Sequence, residues 1–183
     1  SQTETFNSIG EYDNGHGKIY KLCSFSLAGS NTSGCPKFFT NLRKYFKISD
    51  IKELTTTSTY LNSNSPRSIT GTKIFLMDGT MITSGGFSCA DSNTMVGNFV
   101  IDINGTKGPN KDGRDIFYFY LGNNGIVYPN GSITVAEYRS PNSTTDYYWK
   151  TSTGHYPSGS CLIGSGFGQG CAARVLEEGK MNY

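Results

Sequence analysis

The chain predicts an α+β fold, with helix packed against an antiparallel β-sheet, and three observations carry that prediction. Apolar residues at helical spacing occur near residue 40, alternating apolar residues recur from residue 73 onwards, and the intervening connections are rich in Gly, Asn and Asp. Helix first and hairpin-linked strands later suits an antiparallel sheet rather than a parallel α/β design. No internal repeat or linker divides the sequence, so residues 1–183 are read as one domain.

The elements follow in chain order. Phe38, Phe39, Leu42, Tyr45 and Phe46 give Lys37 to Ile48 an amphipathic helical period, with Pro36 where the first turn tolerates it. Ser49 and Asp50, followed by Glu53, offer caps for a further short turn or helix over Ile51 to Leu54. Thr56 to Thr70 is polar and reads as an exposed loop. Lys73 to Met77 and Thr80 to Thr83 bracket Asp78-Gly79, a strong hairpin signal because Gly there adopts positive φ without strain. Met95 to Ile103 and Ile116 to Leu121 are predicted strands, and Gly125 to Tyr128, Asn130-Gly131 and Ser132 to Tyr138 predict one more hairpin. Arg139 to Gly159 has no period and reads as loop, whereas Ala172 to Met181 is ambiguous, with propensity alone favouring helix. The expected core is Phe38, Leu42, Phe46, Ile74, Leu76, Val100, Phe117 and Phe119.

Charged residues make up 16% of the chain, against roughly 25% in ordinary soluble proteins. With a formal net charge of +2 and no basic run evident, nothing marks a nucleic-acid partner. Five cysteines accompany only two histidines and no Cys-x-x-Cys pair, which favours disulfides over zinc. Cys161 and Cys171 flank a glycine-rich loop whose ordering is entropically costly, and closing it would contribute roughly 2 to 3 kcal/mol in the chain-entropy model. Cys23 and Cys35 enclose a similar polar loop and form the second expected pair. Cys89 is left over, either as a buried thiol behind Phe87 or as a swapped or intersubunit partner. Spacing does not fix connectivity; an oxidising compartment is the sturdier inference.

Catalysis has little support, and the chain is not expected to be an enzyme. His16 sits between glycines, His155 lies in a polar loop, and Cys89 has no neighbouring cation or histidine to activate it. Around Ser165, Ile163 and Phe167 stand where a nucleophile elbow needs glycines. Glu177-Glu178, read on a strand, would point to opposite faces. The Asn-x-Ser/Thr sites at Asn31, Asn104, Asn130 and Asn142 are expected by chance in so polar a chain. Tyr147, Tyr148 and Trp149 form the one candidate contact patch for glycan or protein, with Trp149 as a loop anchor the plainer reading.

The segment Asp102-Ile103-Asn104-Gly105-Thr106-Lys107-Gly108-Pro109-Asn110-Lys111-Asp112-Gly113-Arg114-Asp115 cannot be helical. Its Asp and Asn side chains can close turns on their own backbone, with Asp102 and Asp115 accepting from amides and Arg114 pairing with a carboxylate. Alternatively, Asp102, Asn104, Asn110, Asp112 and Asp115 offer oxygen ligands of the kind calcium prefers, although Lys107 stands where an EF-hand needs glycine. No other cofactor is expected.

This segment, together with the tail from Gly170-Cys171-Ala172-Ala173 to Tyr183, resembles the soluble head of type IV pilin-like proteins and pseudopilins. The resemblance is dense over residues 74–119 and 161–183. It implies a long N-terminal apolar helix, absent from this sequence, with Ser1 to about Ile9 as its frayed end. It also implies a short closing strand after the C-terminal Cys pair, and for some members a calcium-binding loop. The function implied is that of a structural subunit in a surface pilus or secretion pseudopilus, assembled with other pilin subunits. Such a subunit is held in the inner membrane through the helix before assembly and displayed outside the cell afterwards, with a separate ATPase driving extension. The alternative is a secreted or surface adhesin acting through residues 147–149.

Overall fold

The computed structural model describes residues 43–87, 95–122, 126–139, 142, 148–150, 161–162 and 167–181. Six strands form one sheet in chain order: β1 (Ile48–Thr59), β2 (Pro66–Leu76), β3 (Met81–Phe87), β4 (Met95–Asp102), β5 (Ile116–Gly122) and β6 (Val127–Pro129). Every neighbouring pair is antiparallel. Two short helices are described, α1 (Ile133–Arg139) and α2 (Cys171–Glu178). Among the described residues, an antiparallel sheet with little helix and one disulfide is partly compatible with the predicted α+β class.

Register sorts the side chains into two faces. Lys73 stands opposite Thr83, Thr83 opposite Val100 and Val100 opposite Tyr118, which makes one cross-strand row. Ile74, Ile82, Ile101 and Phe117 make the adjacent row, and by the two-residue period of a strand it faces the other way.

The β1–β2 ladder is long, but β2 pairs with β3 only from Lys73 to Phe75. Beyond that the hairpin leaves the sheet plane. Lys73 Nζ donates to Ile69 O at 2.8 Å, four residues back along the same strand. A straight strand would separate those positions by about 13 Å, so β2 bends sharply, and Gly71 at φ 144° supplies a conformation that side chains disfavour. The far half of the β1–β2 arm folds over the first face, where Ile69 packs with Val100 and Ile116, two and three strands away in the ladder. A second core lies where Leu61, Phe117, Trp149, Cys161, Cys171, Ala172 and Ala173 meet.

Several expectations are corrected. Arg43 to Tyr45 form a turn and Ile48 already begins β1, so the described end of the Lys37–Ile48 segment is not helical; Phe38 and Leu42 lie outside the described residues. Phe46, expected in the core, is exposed, while Leu76 and Phe119 are only partly buried. Ile51 to Leu54 is strand, held by pairing with Gly71 to Ile74 rather than by a cap. Thr56 to Thr70 is largely strand on either side of a turn at residues 60–65, because β-branched threonines suit a ladder whose outer face is wet. The hairpin at Asp78-Gly79 forms, with Asp78 Oδ1 accepting from Thr80 N at 2.9 Å.

After β6 the chain makes a turn at Asn130-Gly131 and then helix, not a returning strand. Ser132 Oγ accepts from Val135 N at 3.4 Å and Ser132 O from Ala136 N at 3.0 Å, so Ser132 caps α1 despite its β-branched start. The tail is helix rather than a closing strand. Ala172 and Ala173 bury against the core, Gly179 closes α2 in the left-handed conformation, and its N–H bonds Val175 O.

Candidate functional site

The two segments that stand out in the sequence, residues 102–115 and the Cys171 tail, meet in space. Gly113 adopts φ +80°, and a Cβ built there would lie 2.6 Å from Cys171 Sγ. The central loop therefore lies directly on the Cys161–Cys171 disulfide, a bond the structure contains as expected. Gly168, beside that disulfide, lies close to both Asp112 O and Leu61, and Gly131 packs on the backbone of Gly170 with φ +90°. Asn130 O accepts from Ala173 N at 3.1 Å, so the start of α2 is bonded to the turn after β6. Three turns and a crosslink thus share one junction.

Buried electrostatics hold the junction from the arm side. Asp112 is fully buried; its Oδ2 accepts from Arg67 Nη1 at 3.0 Å, and its Oδ1 accepts from the Tyr118 hydroxyl at 3.1 Å and Ser58 Oγ at 3.3 Å. Burial pushes the carboxyl up to about 6 against the opposing pull of Arg67. Tyr118 is raised beyond the usual phenol range by the same burial and by the Asp112 charge. The Arg67 guanidinium lies over the rings of Tyr60 and Tyr118, 5.6 and 5.3 Å from their centroids, and Tyr60 stacks on Phe167 at 4.3 Å. Backbone bonds extend the contact: Thr59 N donates to Asn110 O, Asp112 N to Thr59 O and Leu61 N to Phe167 O.

Within the central loop, the carboxylates act on their own backbone. Asp115 accepts from Asn110 N at 2.8 Å, Lys111 N at 2.5 Å and Asn104 Nδ2 at 3.2 Å. Asp102 accepts from Asn104 N at 3.2 Å and is pushed up to about 6, chiefly by burial. Of the calcium candidates, Asp102, Asn104 and Asp115 are together, while Asp112 is turned toward Arg67 and the arm. Asn104 Oδ1 and Asn110 Oδ1 are buried without a hydrogen-bond partner. Among the described residues no group of three or more His, Cys, Asp or Glu is placed to hold a metal ion.

Trp149 is buried; its Nε1 donates to Glu177 Oε2 at 2.7 Å, and the Arg174 and Lys150 cations stand 5.2 and 5.1 Å from its ring. It anchors its loop to α2, with Tyr148 packed edge-on at 6.4 Å. Lys150 pairs with Glu177 at the surface, lowering the acid's pKa and raising the base's. Glu177 and Glu178 are adjacent on a helix, not a strand, and Glu178 pairs with Arg174 at 3.2 Å. Tyr147, His16, His155, Ser165, Cys89 and the Cys23–Cys35 pair lie outside the described residues.

Sequence reasoning missed Arg67, Ser58, Tyr60 and Asn130-Gly131 as parts of this junction. Arg67 was legible only as a lone cation in a polar stretch, and its significance depends on the bend that brings β2 over β5. Comparison of the chain with family models, with curated proteins and with solved structures finds no match in any of the three.

Proposed function

We propose that the chain is the head of a type IV pilin-like or pseudopilin subunit, a structural component of a bacterial surface or secretion filament. One observation carries the reading: the two segments on which the resemblance rests, 102–115 and the Cys171 tail, are partners in a single junction. A junction made of a disulfide, close glycine contacts and a buried ion pair resists shear, which suits a subunit whose work is mechanical. Its partners are other pilin subunits, and its place is the cell surface, with inner-membrane anchoring before assembly. No helix among the described residues is long and apolar enough to cross a membrane.

The test has a genetic and an imaging arm. The reading frame upstream of Ser1 is expected to encode a prepilin-type leader running into an apolar helix of about 20 residues. Antibodies against the chain are expected to decorate filaments that vanish when the assembly ATPase is deleted. An ordinary cleaved secretory signal, with the protein free in the medium, would sink the assignment.

A further inference from the structure

We propose that the end of the sheet bearing Tyr45, Phe46, Met77 and Ile103 is a docking surface for an anionic lipid bilayer. These side chains are 48%, 43%, 72% and 48% exposed. Single exposed apolar side chains need no explanation, but these come from three separate segments brought to one place. Met77 N donates to Lys47 O at 2.9 Å, which fixes the β2–β3 turn against the chain entering β1. Gly105 approaches the same turn so closely that a Cβ on it would lie 2.6 Å from Gly79 O, so Ile103 is carried there as well.

Charge selects the occupant. Arg43, Lys44 and Lys47 are all exposed and interleave with Tyr45 and Phe46. The exposed carboxylates at this end are Asp50, held by Lys52 at 3.1 Å and also in the field of Arg43, and Asp78, whose Oδ1 is taken by Thr80 N; Asp102, beside Ile103, is buried. The surface is therefore cationic around an apolar centre. Protein interfaces deplete lysine at their cores. A bilayer interface instead takes aromatic rings at headgroup depth and lets lysine stems extend their ammonium groups to lipid phosphates. The inference goes beyond the filament reading and does not depend on polymerisation.

Co-sedimentation tests it with the full chain, using vesicles of phosphatidylglycerol mixed with phosphatidylcholine against phosphatidylcholine alone. Binding is expected only to the anionic vesicles and should weaken with added salt. Lys44→Gln with Lys47→Gln should reduce it by about fivefold per charge, roughly 25-fold together. Phe46→Ser with Met77→Ser should reduce it further at unchanged circular dichroism. The lysine pair is exposed, so it keeps the test informative if the apolar pair misfolds. Failure to bind anionic vesicles, equal binding to both compositions, or parental binding by the lysine variant would overturn the proposal. A dimer in sedimentation velocity that Phe46→Ser/Met77→Ser dissolves, without vesicle binding, would overturn it in favour of a second copy as occupant. None of these results depends on whether the protein forms filaments.

Discussion

Arg67 and Asp112 are 45 residues apart in sequence and 3.0 Å apart in space. Removing Arg67 leaves the fully buried Asp112 carboxylate without its counter-charge, a change that typically costs about 3 kcal/mol or more. Arg67→Ala is therefore expected to lower the urea midpoint strongly, whereas Lys52→Ala, which breaks an exposed, solvent-screened pair with Asp50, should leave it nearly unchanged. Comparing both variants by chemical denaturation checks that ordering. Lys73 shows the same contrast between identity and environment. It is fully buried, donates to Ile69 O and Thr83 Oγ1, and is pushed down to about 8 chiefly by burial. Nothing local to Thr72-Lys73-Ile74 marks that lysine as internal; the neighbours on β3 and the bend in its own strand do.

Among the elements, the central loop and α2 stabilise one another through contacts that leave no room for a side chain. Gly113→Ala would collide with Cys171 and would strain the positive φ, so a loss on the order of 2 kcal/mol is expected. Gly79→Ala has the strained φ but open space around it, and should cost less. Thermal unfolding of the two variants side by side separates the collision from the strain. Reducing Cys161–Cys171 should cost about 2 to 3 kcal/mol, read as a drop in unfolding free energy of a Cys161→Ser/Cys171→Ser variant. Element legibility was uneven for physical reasons. Asp78-Gly79 specifies its turn through local backbone preference, and β5 announces itself because Ile116 to Leu121 is a continuous apolar run. The β1 strand does not, because half of its residues are exposed and its partner, not its own side chains, organises it.

At the scale of the whole molecule, three buried ionisable groups shape the pH dependence of stability, two on the acidic side and one on the alkaline side. Asp102 and Asp112 have folded values near 6, above their ordinary 3.8, so between those limits the folded state holds more protons and stability falls as pH rises. Lys73 has a folded value near 8, below its ordinary 10.5, so between those limits the unfolded state holds more protons and stability rises with pH. Together they predict a shallow minimum in melting temperature between about pH 6 and 8. Asp112→Asn should flatten the acidic limb and Lys73→Met the alkaline one in a calorimetric pH series. The candidate junction was half legible: residues 102–115 and the cysteine pair stood out, but their meeting did not, because no local pattern records which turn packs on which.

By itself the sequence determined what backbone chemistry dictates locally: the hairpin at Asp78-Gly79, the strands β4 and β5, a central loop that turns on its own carboxylates, and the Cys161–Cys171 closure. Helix propensity in Ala172-Ala173-Arg174-Val175-Leu176 was also sound, and the structure follows it over the strand that resemblance implied. Tertiary structure alone decided the bend at Gly71, the burial of Lys73 and Asp112, and the placing of Trp149 beneath two cations. Those outcomes depend on which surfaces lose water when distant segments meet, and the cost of leaving a buried polar group unpaired favours the arrangements in which Lys73, Asp112 and Trp149 find partners.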